Sequence, residues 1–177
     1  MKILIPEFKI QRAISDLAHD LTQFDEGRVD ASDALQNNHD EAPVFLGVLN
    51  GSFMFMADLV KHMEKDIYCD FIAVQSYEGQ VQGEMKLTKT PKISLSNKRI
   101  YLVEDIVDTG NTINYIKAWI EENFKNTEIH VISMIKRKSD VSNNIDFFAL
   151  EVGEEWLVGF GLDDNELKRN YRNIYEI

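Results

Sequence analysis

The sequence is short of cysteine, proline and positive charge, and each scarcity removes a class of protein. A single cysteine among 177 residues, Cys69, leaves no internal disulfide to form. It sits in the apolar run Ile67-Tyr68-Cys69-Asp70-Phe71, so it is expected to pack in the core rather than act as a reactive thiol. Three prolines and nine glycines are too few for a collagen-like or low-complexity chain. No run approaches the ~20 uninterrupted apolar residues that a bilayer requires, so no membrane span is expected. Lysine and arginine total 19 against 30 aspartates and glutamates, a formal net charge of −11. Coating nucleic acid or lying on an anionic membrane needs clustered positive charge, so neither partner is expected. The apolar run within Met1 to Glu7 is too short for a signal peptide, which points to a cytoplasmic protein.

What the chain does have is 44% hydrophobic residues, enough to bury a real core, and a length that suits one domain over residues 1–177. From Phe8 to Phe24, Ile10, Ala13, Ile14, Leu17 and Leu21 recur at three- and four-residue steps, the spacing of an amphipathic helix. Asp25 to Pro43 is acidic and poor in large apolar side chains, and reads as a solvated loop with a short helical turn near Ala31 to Leu35. Val44 to Leu49 reads as a strand, Asn50-Gly51 as a tight turn and Phe53 to Met63 as a helix. Ile67 to Tyr77 and Glu84 to Thr90 read as strands flanking a mobile arm. Arg99 to Val107 is another buried strand, followed after Asp108-Thr109-Gly110 by a helix with Ile113, Ile116, Trp119 and Ile120 on one face. Glu128 to Ile135, Phe147 to Val152, Trp156 to Leu162 and Tyr171 to Tyr175 supply further strands.

Alternating strand and helix predict an α/β fold with a parallel, doubly wound sheet. In such sheets ligands bind beyond the carboxyl ends of the strands, which directs attention to the turns after Leu49, Val107, Ile135 and Leu162.

The stretch from Ile100 to Thr112 carries the most chemistry. Two adjacent carboxylates, Glu104 and Asp105, fall at the end of a buried strand, where ionised groups are costly unless they bind something. Asp108-Thr109-Gly110-Asn111-Thr112 then opens a helix and presents backbone N–H groups, hydroxyls and the positive end of the helix dipole. Taken alone, Asp-Thr-Gly describes an ordinary turn. Acceptors for hydroxyls or metal, followed by a cradle for phosphate, describe a sugar-phosphate site.

Val103-Glu104-Asp105-Ile106-Val107-Asp108-Thr109-Gly110-Asn111-Thr112 resembles the 5-phosphoribosyl-1-diphosphate (PRPP) motif of type I phosphoribosyltransferases. The surroundings are similar to the hypoxanthine-guanine phosphoribosyltransferases in particular, through Gly47 to Phe55, Asp70 to Val74 with Ser76-Tyr77, and Val158 to Asp163 with Asn165, Glu166 and Arg169. The resemblance implies a central, mostly parallel sheet flanked by helices, with a small hood from the two termini and a flexible loop over the site. It also implies that a 6-oxopurine and PRPP are the substrates, with a nucleoside monophosphate and pyrophosphate as products in purine salvage.

The family's roles carry over residue by residue. Glu104 and Asp105 would hold the ribose hydroxyls, because carboxylates accept from a vicinal diol. Asp108 would lie by purine N7 as the catalytic base. Asp108, Thr109, Gly110, Asn111 and Thr112 would cradle the 5′-phosphate. Asn50, Gly51 and Arg169 would contact pyrophosphate, in a turn whose peptide is cis in some relatives. Mg²⁺ would neutralise the leaving group, with Glu104, Asp105 and Asp163 as its protein-side partners. Lys136 would donate to the purine 6-oxo group, Trp156 would stack on the ring, and backbone groups of Leu157 and Asp163 would read its edge. Ser76 and Tyr77 would head the closing loop.

The sequence also departs from the family. Asn111 replaces a common lysine, and the segment 138–144 lacks the expected proline and paired arginine, so Arg137 and Lys138 stay open beside Lys136 as the purine-contacting cation. The acidic segment 25–41 is longer than the resemblance leads one to expect. A xanthine-preferring transferase is the near alternative, and a non-catalytic PRPP-sensing regulator the distant one. Relatives imply a homo-oligomer, a dimer or tetramer.

Overall fold

A computed structural model describes residues 1–27, 42–77, 84–138 and 144–177. Its elements run β1 (Lys2–Ile5), α1 (Glu7–Glu26), β2 (Val44–Leu49), α2 (Phe53–Leu59), β3 (Tyr68–Tyr77), β4 (Glu84–Lys89), β5 (Arg99–Ile106), α3 (Asn111–Asn123), β6 (Glu128–Arg137), β7 (Phe147–Val152), β8 (Leu157–Val158) and β9 (Ile174–Glu176). Six strands form the main sheet in the order β4-β3-β2-β5-β6-β7. Every neighbouring pair in it is parallel except β3 with β4. The remaining three make a small antiparallel sheet, β1-β9-β8, that joins the two ends of the chain into the expected hood.

Period-two alternation divides the core between the two faces of the sheet. Val44, Leu46 and Val48 of β2 and Ile100 and Leu102 of β5 pack with Ile113, Ile116 and Ile120 of α3. Phe45, Tyr101 and Val103 face the other way, onto Ile10, Ile14, Leu17, Ala18 and Leu21 of α1 and Phe55, Met56 and Leu59 of α2. Ala18 completes the α1 stripe, whereas Ala13, one position from its edge, is only half-buried. Asp25, at the end of α1, accepts from Arg99 Nη1 at 2.6 Å and from the Tyr101 hydroxyl at 2.5 Å. The helix is thereby tied to the strand that ends in the paired acids.

Several expectations need correction. Cys69 is exposed, because burial along β3 begins only at Asp70. Partial desolvation nevertheless raises its pKa, so the thiol is not activated. The helix from Phe53 ends at Leu59 and tightens into a 3₁₀ turn, Val60–His62. The predicted strand Trp156 to Leu162 shrinks to Leu157–Val158, since Gly159, Phe160 and Gly161 all take positive φ. The last strand lies at Ile174–Glu176 rather than Tyr171 to Tyr175. Strand β1 was not anticipated: Ile3-Leu4-Ile5 is too short to announce itself without its partner β9. The segment 28–41, including the turn expected at 31–35, and the arm residues 78–83 lie outside the described residues. Among the described residues no helix is long and apolar enough to cross a membrane.

Candidate active site

The carboxyl ends of β2 and β5 and the loop after β8 meet at one place. The Asn50-Gly51 turn follows β2, and the Leu49–Asn50 peptide is cis. Ser52 fixes the turn by donating its hydroxyl to the Val48 carbonyl at 2.6 Å. Gly51 rests directly on the Asp105 side chain, where any Cβ would overlap the carboxylate. Gly161, at φ +100°, rests in turn on the Gly51 carbonyl. Two glycines thus allow three backbone segments to approach more closely than side chains permit.

Alternation along β5 sends its two acids to opposite sides. Glu104 continues the face of Ile100 and Leu102 and lines a cavity of about 100 Å³ with Ile106 to Ile113. Asp105 turns toward Gly51. Burial raises the pKa of both, and Glu104 is pushed well above the usual carboxylate range, with the Asp105 charge adding to the effect. Around Asp105 the Glu104 hydrogen bond, the Ile106 N–H and the Arg169 charge oppose that rise. Neither acid forms an ion pair with a described lysine or arginine side chain.

The other wall of the cavity is the loop Asp108 to Thr112. Gly110 caps α3 at φ +76°, a left-handed conformation that side chains resist. The turn leaves Asp108, Thr109 and Asn111 exposed at the positive end of the helix. The Asn144 side chain closes over Gly110, 2.5 Å from where a Cβ would stand. This neighbour was not foreseen, since 34 positions separate it from Gly110 and no motif marks it.

Asp163 and Arg169, singled out for separate roles, are partners here. Arg169 Nη2 reaches Asp163 Oδ1 at 2.8 Å and Glu166 Oε2 at 3.1 Å, while Nη1 donates to the Gly161 carbonyl at 2.8 Å. The guanidinium is mostly enclosed, and it locks the loop that presses on Gly51. Asp163 Oδ2 also accepts from Glu166 N–H at 2.9 Å. Glu104, Asp105 and Asp163 do not form a ready-made metal cage, because no group of three or more His, Cys, Asp or Glu converges among the described residues.

At the ends of β6 and β7 the three cations sort themselves. Arg137 donates to the carbonyls of Gly153 and Glu155, Lys138 is exposed, and Lys136 holds its ammonium 5.0 Å from the centre of the Phe148 ring. Trp156 is 67% exposed and so is not a core tryptophan, while Leu157 beside it is buried. Ser76 and Tyr77 end β3, and the arm that they head lies outside the described residues. Acids for a diol, an anion-binding helix start and an open indole are the parts a site for an aromatic base and a sugar phosphate requires.

The chain matches the phosphoribosyl transferase domain model over residues 21–165. It is a phosphoribosyltransferase-family protein. Among similar family members, the hypoxanthine-guanine phosphoribosyltransferase of Lactococcus lactis is 33% identical over 175 residues, covering 98% of this chain and 87% of the relative. That of Bacillus subtilis is 32% identical over 96% of this chain and 88% of its own length. Among solved structures, a hypoxanthine phosphoribosyltransferase from Staphylococcus aureus superposes with a TM-score of 0.83 at 26% identity, covering all of this chain and 91% of that one. A hypoxanthine-guanine phosphoribosyltransferase from Bacillus anthracis, with a HEPES molecule in its active site, also gives 0.83 at 26% identity, over 100% and 98% of the two chains. This phosphoribosyltransferase thus has the family's sheet, hood and α/β layering throughout its described residues.

Proposed function

We infer that the chain, acting as one phosphoribosyltransferase domain, joins hypoxanthine, guanine or both to PRPP and releases pyrophosphate. The observation that carries this reading is the meeting of Asn50-Gly51, Glu104-Asp105 and the Gly161 to Arg169 loop beside the N-terminus of α3. It fits a substrate with phosphate at one end, a diol in the middle and pyrophosphate at the other.

Each end has its receptor. Backbone N–H groups from Asp108 to Thr112, with the hydroxyls of Thr109 and Thr112, take the 5′-phosphate. Glu104 and Asp105 accept from the ribose hydroxyls and, in ionising, release the protons that burial favours. Asn50, Gly51 and Arg169 receive pyrophosphate. Trp156 stacks on the purine, Lys136 donates to its 6-oxo group, and backbone groups of Leu157 and Asp163 read its edge. As the purine nitrogen bonds to ribose C1, the C1–oxygen bond to pyrophosphate breaks and the purine proton passes to Asp108.

The donor set suits Mg²⁺, which takes oxygen ligands and keeps several waters. Glu104 and Asp105 form no ion pair with a lysine or arginine among the described residues, and their carboxylates, with that of Asp163, would hold such an ion. When bound, Mg²⁺ supplies charge neutralisation for the departing pyrophosphate.

A base panel tests the reading. With PRPP and Mg²⁺, hypoxanthine or guanine should give nucleotide and adenine should not. Xanthine turning over far better than hypoxanthine would make the enzyme xanthine-preferring, and no turnover with any oxopurine would leave a PRPP-binding protein without this activity.

A further inference from the structure

We propose that Arg137 is a positioning residue for the base pocket, fixing the turn that carries Trp156 to the strand end that carries Lys136. The proposal rests on the purine-binding reading of that pocket. Arg137 is the last residue of β6 and pairs with Val152, the last residue of β7. The chain then turns at once through Gly153 to Glu155 and reaches Trp156. One guanidinium nitrogen, Nη1, donates to both flanks of that turn, to the Gly153 carbonyl at 2.7 Å and the Glu155 carbonyl at 2.8 Å. Both bonds are charge-assisted and short. The turn's own carboxylate adds no anchor through Glu155 Oε2, which is buried with no hydrogen-bond partner among the described residues.

Trp156 needs such an anchor. Its indole is 67% exposed, so packing does not hold it, and it hangs between this turn and the Ile177 N–H that its carbonyl accepts at 3.1 Å. An exposed ring on an untethered turn must be ordered by the ligand, which lowers affinity. Arginine suits the task because it stays charged and the two N–H bonds of Nη1 lie fixed in the guanidinium plane, one for each carbonyl, whereas lysine is a point charge on a flexible stem. The same geometry removes Arg137 from the candidates for purine contact. Lys136, adjacent in sequence, has no ion pair among the described residues and carries its ammonium over Phe148. Edge reader and face stacker are then set as one unit.

Steady-state kinetics of native protein, Arg137→Lys and Arg137→Met provide the test. Arg137→Met should raise the purine KM about tenfold, as loss of a charged hydrogen bond implies, with Arg137→Lys between it and native. The PRPP KM should stay within about twofold, since the PRPP contacts lie on other strand ends. An unchanged purine KM, or parallel rises in both KM values, would overturn the proposal. A second readout stands apart from turnover. In a Trp119→Phe background Trp156 is the sole tryptophan, and Arg137→Met should lower its fluorescence anisotropy while the protein still melts cooperatively. Unchanged anisotropy would overturn the positioning role even if the enzyme is active. A native protein that turns over no oxopurine, yet shows the anisotropy drop, would instead sink the functional reading and leave the tether standing.

Discussion

Asp108 sits exposed at the mouth of the α3 cradle, next to acids that are enclosed, and the contrast separates two kinds of carboxylate in one site. An exposed acid is within reach of a proton on a bound base, whereas an enclosed pair is disfavoured as a dianion until something binds. Asp108→Ala should therefore keep PRPP affinity and lose roughly 10²-fold or more in turnover. Isothermal titration with PRPP and single-turnover rates check both halves, and a variant that loses binding but reacts normally once loaded would refute the role. Glu104 makes the complementary case. Its folded pKa lies above its unfolded value, so the folded state binds the extra proton and stability falls as pH rises from about 4.5 through the folded pKa. Glu104→Gln, neutral at every pH, should reduce that decline and raise unliganded stability near pH 7, while weakening PRPP binding. Thermal melts across pH 5 to 8, with and without PRPP, test it; identical slopes for native and variant would contradict it.

Among the elements, β3 and β4 form the one antiparallel pair of the main sheet, and Asp70 holds their base. Its buried carboxylate accepts from the Phe71 N–H at 2.7 Å, Lys89 Nζ at 3.2 Å, and the N–H groups of Lys92 at 2.6 Å and Ile93 at 3.3 Å. Burial alone would raise its pKa, but these donors outweigh it and bring the value below the ordinary one. Stability from Asp70 is thus present above the unfolded pKa near 3.8 and is lost as pH falls through the lower folded value. Asp70→Asn should cost about 1–3 kcal/mol at neutral pH and flatten the acid limb of the stability curve. Urea titrations at pH 3 and pH 7 would show it, and an equal loss at both would argue against a charge effect.

What the sequence made legible follows from how local each feature is. Val44–Leu49 and the stretch from Glu104 to Thr112 can be read because apolar run, acids, glycine and helix start are contiguous. Strand β1 escapes because its three apolar residues acquire meaning only beside β9, at the far end of the chain. The Asp163–Arg169 pair, the Arg137 tether and the Asn144 contact escape for the same reason: each depends on how a turn folds back, which period and composition do not encode. Cys69 misleads because an apolar neighbourhood in sequence need not be covered in space at a strand's open end.

For the whole molecule, the net charge of −11 and the polyphosphate substrate at first oppose each other. They are reconciled by location. On the proposed function, acids at Glu104, Asp105 and Asp163 would serve hydroxyls and Mg²⁺, backbone amides at the α3 start would serve phosphate, and the remaining positive charge would come with the metal. The excess acid elsewhere still disfavours nucleic acid as a partner. The most direct measurement of the central claim is the stoichiometry of one reaction, with hypoxanthine, PRPP and Mg²⁺ mixed and inosine monophosphate and pyrophosphate quantified together. The two products should appear in equal amounts and only when Mg²⁺ and the base are both present. Pyrophosphate released without nucleotide, or PRPP bound without either product, would contradict the account.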